Sequence, residues 1–312
     1  MHETITALEE AFREQALGQA IAPVRSSIAI AKKDGWIGIM PAYLEGLQTF
    51  STKIVSVYNK NPARNLPTIM ATIVLNDPET GEALSVMDGS FITAMRTGGL
   101  GGLTAKYLSR KDSRTVGIFG AGVQGRTHLM ALKEVRTITS AKVYDPVVER
   151  AKTYSQEMSK KLQIPVEVSQ SPSDTVKDSD IVVTVSTSKE PLFDGRILRP
   201  GTHINAFGNF KLTERELDNE TIRRSKVVVD LREAALSEAG DLTMPINDGV
   251  ITAGHILADL GEVIIGSKPV RTSSSDITLF KSVGLGIQDC AASSLAYKKA
   301  LEKGVGTRIN LH

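Results

Sequence analysis

The 312 residues carry 37 basic and 35 acidic side chains, a net charge of +2, with 41% hydrophobic and 23% charged content. That balance is globular, the length is enough for two domains, and the charge suggests no nucleic-acid or membrane-surface partner. One cysteine, Cys290, excludes an internal disulfide and a cysteine-cluster metal site, and the five histidines are scattered, so no metal is expected.

The chain opens with an amphipathic helix. Ile5, Leu8 and Phe12 share one face, and Glu9, Glu10, Arg13 and Glu14 lie opposite. It does not have the build of a signal peptide, and no run reaches the roughly 18 apolar residues of a membrane span, so the expected location is cytoplasmic. Strand-like runs follow at 36–40, 53–57, 68–75 and 82–87. Asp77-Pro-Glu-Thr-Gly81 between the last two predicts a hairpin turn.

Residues 115–145 change the rhythm. Thr115-Val-Gly-Ile-Phe119 is a short apolar strand that runs into Gly120-Ala121-Gly122-Val123-Gln124-Gly125. A helix is expected from Arg126 to about Val135, then a strand at 141–144 ending at Asp145, 20 residues after the last glycine. Strand, glycine turn, helix, strand and acid in this order form the dinucleotide-binding fingerprint. Gly120 allows the tight turn, Gly122 lets the backbone approach a pyrophosphate, and Gly125 lets helix and strand pack closely. The N–H groups at the helix start face the anion. Asp145 has two readings. As an acceptor for the ribose hydroxyls it favours NAD, because a carboxylate repels a 2′-phosphate. As a helix N-cap ahead of Pro146 it says nothing of the cofactor. Lys142 and Arg150 keep NADP open.

Strand-like runs then recur at 166–169, 180–186, 203–207 and 226–230, separated by polar or helical stretches at 171–179 and 213–225. Apolar strands alternating with helices predict a parallel sheet covered on both faces. Ser186-Thr187-Ser188 ends a central strand, either as a nicotinamide-side loop or as an ordinary turn. A small-residue helix at 289–301 (Ala291, Ala292, Leu295, Ala296, Ala300) is expected to leave this domain and pack on the first one. The expected fold is therefore α/β. A Rossmann, doubly wound parallel-sheet domain spans 111–284, and both chain ends, 1–110 and 285–312, build a second α+β domain for substrate binding and dimerisation.

Taken together in this order, several segments resemble the ornithine cyclodeaminase/mu-crystallin family, which includes archaeal-type alanine dehydrogenases and ketimine reductases. They are Pro23-Val-Arg25, Gly38-Ile-Met-Pro-Ala-Tyr43, Lys53-Ile-Val-Ser-Val57, Asn65-Leu-Pro-Thr68, Leu75-Asn-Asp-Pro-Glu-Thr-Gly81, Thr93-Ala-Met-Arg-Thr97, Gly120-Ala-Gly-Val-Gln124, Thr278-Leu-Phe-Lys-Ser-Val-Gly284 and Gln288-Asp289. The resemblance covers nearly the whole chain. It implies that Arg25, Lys53 and Arg96 hold a substrate carboxylate, with Thr68 lining the same pocket. Lys53 and Arg96 become the catalytic candidates, and Val283 joins the cofactor residues. Charge-assisted contacts of this kind contribute about 1.5–3 kcal/mol each. The implied partners are NAD or NADP, a small imino or amino acid, and a second copy of the chain.

Two departures narrow the expected chemistry. The family's cyclodeaminases carry a glutamate, tied to ammonia release, where this chain has Gly38. They and the family's alanine dehydrogenases also carry an aspartate where this chain has Phe210, in Asn205-Ala-Phe-Gly-Asn-Phe210. Neighbouring Asn209 cannot exchange a proton near neutral pH, and the mu-crystallin-like ketimine reductases share the lack of the acid. The expected activity is NAD(P)-dependent reduction of a ketimine such as pyrroline- or piperideine-2-carboxylate. The alternatives are alanine dehydrogenase or ornithine cyclodeaminase chemistry, and a non-enzymatic NAD(P)H-dependent ligand binder. Family members usually have an extra strand and turn before the first helix.

Overall fold

The computed structural model describes residues 1–309; residues 310–312, which the expected second domain included, lie outside the described residues. The chain divides into two compact units, Thr6–Arg96 with Leu285–His312, and Met1–Ile5 with Thr97–Gly284.

The chain begins with α1 (His2–Ala16), whose Leu8 and Phe12 are fully buried, as the sequence periodicity requires. Strands β1 (Ala20–Ile21), β2 (Ser26–Ile30), β3 (Gly35–Leu44), β4 (Thr49–Tyr58), β5 (Ile69–Asn76) and β6 (Ala83–Asp88) follow. They form an antiparallel sheet in the order β1-β3-β4-β5-β6, with β2 also on β3. Alternation assigns the faces: Met40, Lys53, Val55, Ala71 and Ile73 are buried, while Ile39, Ile54 and Val86 are exposed. Between β5 and β6 the expected hairpin turn forms, with Asp77 Oδ1 accepting the Glu79 and Thr80 N–H groups at 2.8 and 3.0 Å. Gly81 closes it at φ +79°, which only glycine adopts without strain.

Glu14 departs from its expected exposed face and is buried. Its Oε2 and Oε1 accept the N–H groups of Gly46 at 2.9 Å and Leu47 at 3.0 Å, so the carboxylate caps the turn between β3 and β4. Polarity alone places Glu14 outward on the helix, whereas those two orphan donors decide its position. Glu14→Ala therefore lowers stability by about 1–3 kcal/mol, read as a lower thermal unfolding midpoint. Glu10→Ala, on the exposed side of the same helix, leaves the midpoint unchanged.

Next, α2 (Gly89–Leu108) carries the chain across the junction between the units, which falls at Arg96/Thr97. The sequence pattern places this boundary at 110/111. An unbroken helix offers no turn signal at the junction, and the glycines of its second half bring it close to α3 (Val123–Val135) instead. A Cβ on Gly101 would lie 2.3 Å from His128 Cδ2, and one on Gly102 2.9 Å from the Ala131 Cβ.

The second unit contains β7 (Thr115–Phe119), α3, β8 (Ser140–Tyr144), α4 (Val148–Leu162), β9 (Val166–Val168), α5 (Pro172–Val176), β10 (Ile181–Thr184) and β11 (His203–Ala206). It continues through α6 (Asn219–Arg224), β12 (Ser225–Val229), α7 (Arg232–Glu238), α8 (Gly240–Asn247), β13 (Ile256–Asp259), α9 (Leu260–Ile264) and β14 (Ile277–Lys281). The eight strands pair in parallel in the order β13-β12-β14-β11-β10-β7-β8-β9. This is the Rossmann-like sheet of the expected α/β fold. Within the polar or helical stretch expected at 213–225, helix begins at Asn219, because the Asp218 side chain caps it by accepting the Thr221 N–H at 2.8 Å. Finally α10 (Gly286–Lys303) returns to the first unit and packs on β3, β4 and β5, as its small residues predict.

Candidate active site

Within the parallel sheet the register sets four strand ends level. Thr184 of β10 pairs with Phe119 of β7 and Ala206 of β11, and Ala206 pairs with Lys281 of β14. The turns after these strands therefore line one carboxyl edge. The strand order reverses between β7 and β10, the position at which such sheets bind nucleotides.

The glycine turn stands at that edge. Gly120 adopts φ +109°, and a Cβ there would lie 2.7 Å from the Val185 carbonyl oxygen. On Gly125 it would lie 2.3 Å from the Gly120 oxygen. On Gly122 it would meet nothing within 4 Å, so the open space over this turn belongs to the outside. Gly122 is also the N-cap of α3, and no side chain caps that helix end. Helix α3 starts at Val123, three residues earlier than expected, since the last residues of the glycine motif are already helical. Gln124 accepts the His128 Nδ1–H at 2.9 Å, and burial lowers the His128 pKa to about 4, leaving a neutral packing residue. Ala121 donates its N–H to Asp145 Oδ2 at 3.0 Å. The other Asp145 oxygen accepts the Val147 N–H at 2.9 Å, and α4 begins only at Val148 with Val147 as its N-cap. Asp145 is thus not a helix cap; it braces the glycine turn. Lys142 turns away to Asp174 Oδ1 at 2.6 Å.

After β10, Thr187 is exposed, while Ser186 donates both its N–H (2.8 Å) and its hydroxyl (2.5 Å) to Glu216 Oε1. Glu216 Oε2 accepts the Gly208 N–H at 3.0 Å, so one buried carboxylate ties together the loops after β10 and β11. Burial, and then the neighbouring Asp241 charge, push its pKa up. At the end of β14 the Val283 and Gly284 N–H groups both donate to Asp230 Oδ2, at 2.9 and 2.8 Å. Turn, open space over Gly122, uncapped helix and edge position fit a dinucleotide.

The other unit holds a separate cluster. Lys53, on the inner side of β4, is 1% exposed and pairs with Asp289 Oδ2 of α10 at 2.6 Å. Arg96 Nε donates to Asp289 Oδ1 at 3.0 Å, and its Nη1 to Gln288 Oε1 at 2.5 Å. Gln288 Nε2 is buried with no hydrogen-bond partner among the described residues. Arg25, half-buried just before β2, sets its guanidinium 6.0 Å from the Trp36 ring centroid, and its charge reaches Lys53. Thr68 is half-buried, sits one residue ahead of β5, and accepts the Tyr58 N–H through its carbonyl at 2.8 Å.

The electrostatics of this cluster are unusual. Two buried cations share one carboxylate, so the site keeps excess positive charge away from water. Burial first, and the Arg96 charge second, lower the Lys53 pKa to about 7, against the opposing pull of Asp289. Such a site attracts an anion and holds a proton that moves at neutral pH. Arg25, Lys53 and Arg96, separated in sequence, share one electrostatic neighbourhood. The sequence alone assigns no role to Gln288, Asp289 or Glu216. The Gln288-Asp289 pair among the family-like segments was the available signal for the first two.

A family model described as the ornithine cyclodeaminase/mu-crystallin family matches residues 1–304. The chain belongs to that family. Within it, the chain is 37% identical over 310 residues to a Bacillus cereus Delta(1)-pyrroline-2-carboxylate reductase, covering 99% of this chain and 95% of the relative. The Thermococcus litoralis Delta(1)-pyrroline-2-carboxylate reductase, solved in complex with NADH and L-proline, superposes with a TM-score of 0.96. It is 48% identical, with coverage of 98% of this chain and 95% of that one. An archaeal alanine dehydrogenase dimer with bound NAD gives a TM-score of 0.95 at 38% identity, covering 100% and 95%. The family's oxidoreductases thus match both units of the chain. Among the described residues, no helix is long and apolar enough to cross a membrane.

Proposed function

We propose that the protein is an NAD(P)H-dependent reductase of a small cyclic α-imino acid, Δ1-pyrroline-2-carboxylate or its six-membered homologue. The observation that carries this reading is the Lys53–Asp289–Arg96 cluster, with its excess buried positive charge and a lysine poised near neutrality. The names of the family relatives point the same way.

When bound along the carboxyl edge of the parallel sheet, NAD(P)H supplies the hydride. Gly120, Ala121, Gly122, Val123, Gln124 and Gly125 receive the pyrophosphate, with Ser186, Thr187 and Val283 completing the contacts. Asp145 accepts the ribose hydroxyls and favours NAD. Asp145→Ser then shifts the kcat/KM ratio toward NADPH by roughly tenfold or more, since a carboxylate near a 2′-phosphate is repulsive. An unchanged ratio would return Asp145 to a bracing role alone.

Arg96 and Arg25 hold the substrate carboxylate, and Thr68 lines the same pocket. That carboxylate brings the negative charge the cluster lacks, so its arrival tightens Lys53's hold on a proton. Lys53 gives this proton to the imine nitrogen as hydride reaches the α-carbon, and Asp289 keeps the ammonium oriented. C=N, hydride and proton sum to the secondary amine. Phe210 and Gly38 support reduction over amine oxidation or ammonia release, because neither can serve as a base.

A second copy of the chain fits the outer face of the antiparallel sheet, where Ile39, Ile54 and Val86 are exposed. A homodimer in the cytoplasm is the assembly this reading takes.

The test follows NADH absorbance. Oxidation with Δ1-pyrroline-2-carboxylate is expected, with little or none for pyruvate plus ammonia. Turnover only with pyruvate and ammonia, or NAD reduction with ornithine, would replace the reading by the dehydrogenase or cyclodeaminase one. Binding of NADH and imine without turnover would make the protein a ligand carrier.

A further inference from the structure

We propose that Trp36 is the specificity wall of the imine site, and that Gly38 is glycine to make room for it. This deepens the reading of Lys53, Arg96 and Arg25 as a carboxylate anchor and rests on it. Trp36, Gly38 and Met40 alternate onto the buried side of β3. Met40 pairs across the sheet with Lys53, and Gly38 pairs with Val55, which in turn pairs with Ala71. The indole lies over this row. A Cβ built on Gly38 would stand 2.4 Å from Trp36 Cη2, 3.0 Å from Cζ3 and 3.1 Å from Cζ2. Even alanine at position 38 therefore displaces the ring. The half-buried indole also packs on Met40, Val55 and Ala71, the apolar patch beside Lys53. Its face is 6.0 Å from the Arg25 guanidinium, so it joins the anchor to the patch.

A carboxylate held by these cations leaves the rest of the substrate against the indole. Ring carbons lose nothing there. An amino or carboxyl group on an extended chain would lose its hydration without a partner. The wall thus selects compact, apolar, ring-closed imino acids and disfavours chains with a second charged group.

The experiment compares kcat/KM for Δ1-pyrroline-2-carboxylate and for the open-chain imine formed from pyruvate and methylamine. The proteins are the full-length wild type, Trp36→Ala, Trp36→Phe and Gly38→Ala. Trp36→Ala should lower the ring substrate's kcat/KM relative to the open-chain imine by roughly tenfold or more. Gly38→Ala, which moves the indole, should shift the ratio in the same direction, and Trp36→Phe should fall between. NADH binding, followed by the coenzyme's own fluorescence, should be unchanged in all three, and a wild-type circular-dichroism spectrum and thermal unfolding midpoint certify the folding of the substituted sheet. Trp36 is the chain's only tryptophan. Its emission should therefore respond to pyrrole-2-carboxylate, an analogue that neither gives nor takes hydride. A silent emission, or equal losses for both substrates, would overturn the inference and leave Trp36 a structural prop. In that case wild-type turnover of the cyclic imine leaves the proposed function standing. A wild type that reduces no imine would overturn both.

Discussion

Arg96→Leu should lower kcat/KM for the cyclic imine by two to three orders of magnitude while NADH affinity stays at the wild-type level. The lost charge-assisted contact to the substrate carboxylate is worth about 1.5–3 kcal/mol, roughly ten- to 150-fold. A further loss comes from Asp289, which is fully buried and is left with Lys53 as its cation. The NADH term is expected to hold because the glycine turn receives the pyrophosphate, whereas the Arg96 guanidinium is engaged by Asp289 and Gln288. A second consequence separates this from simple destabilisation. The Arg96 charge is, after burial, the largest cause of the lowered Lys53 pKa. Its removal should move the alkaline limb of the pH profile upward. Unchanged kcat/KM, or a parallel loss of NADH affinity, would mean that Arg96 does not hold the substrate.

The second large effect is the pH dependence set by Lys53. Its pKa, about 7, lies well below the ordinary lysine value of 10.5. The ammonium form predominates below that value, and imine reduction consumes its proton. The kcat/KM for reduction, which reports the ligand-free enzyme, should therefore be level below about pH 7 and fall tenfold per unit above it, with the kcat limb displaced upward by the bound carboxylate, while amine oxidation should rise over the same range. Lys53→Met should remove this limb and lower kcat by roughly 10²–10⁴. The imine's own ionisation is common to both proteins and cancels in the variant-to-wild-type ratio. A limb that survives in Lys53→Met would assign the proton to water or to another group.

What was legible beforehand is local. The glycine turn could be read because Gly120, Gly122 and Gly125 meet their constraints within a few residues of chain. The 77–81 hairpin, the apolar face of α1 and the small-residue face of α10 follow from spacing in the same way. The misplaced features are those with a partner far off. Glu14 is a solvent-type residue by composition, and it is buried because the Gly46 and Leu47 N–H groups need an acceptor. The Asp145-Pro146 pair has the form of a helix start, yet the Ala121 N–H 24 positions earlier draws the carboxylate into the turn. The first junction between units lies inside α2, whose helical signal is the same on both sides.

By itself, then, the sequence determined the periodic elements, the nucleotide-type turn and, through family-like segments, a set of cations expected around one substrate carboxylate. Only the tertiary structure supplied the carboxylate those cations share, the burial that draws Lys53 toward neutrality, and the indole lying over Gly38. The reason is physical. Secondary structure and turns respond to interactions within a few residues. A shifted pKa and a filled contact depend on desolvation and charge from segments such as β4, α2 and α10, which meet only after folding.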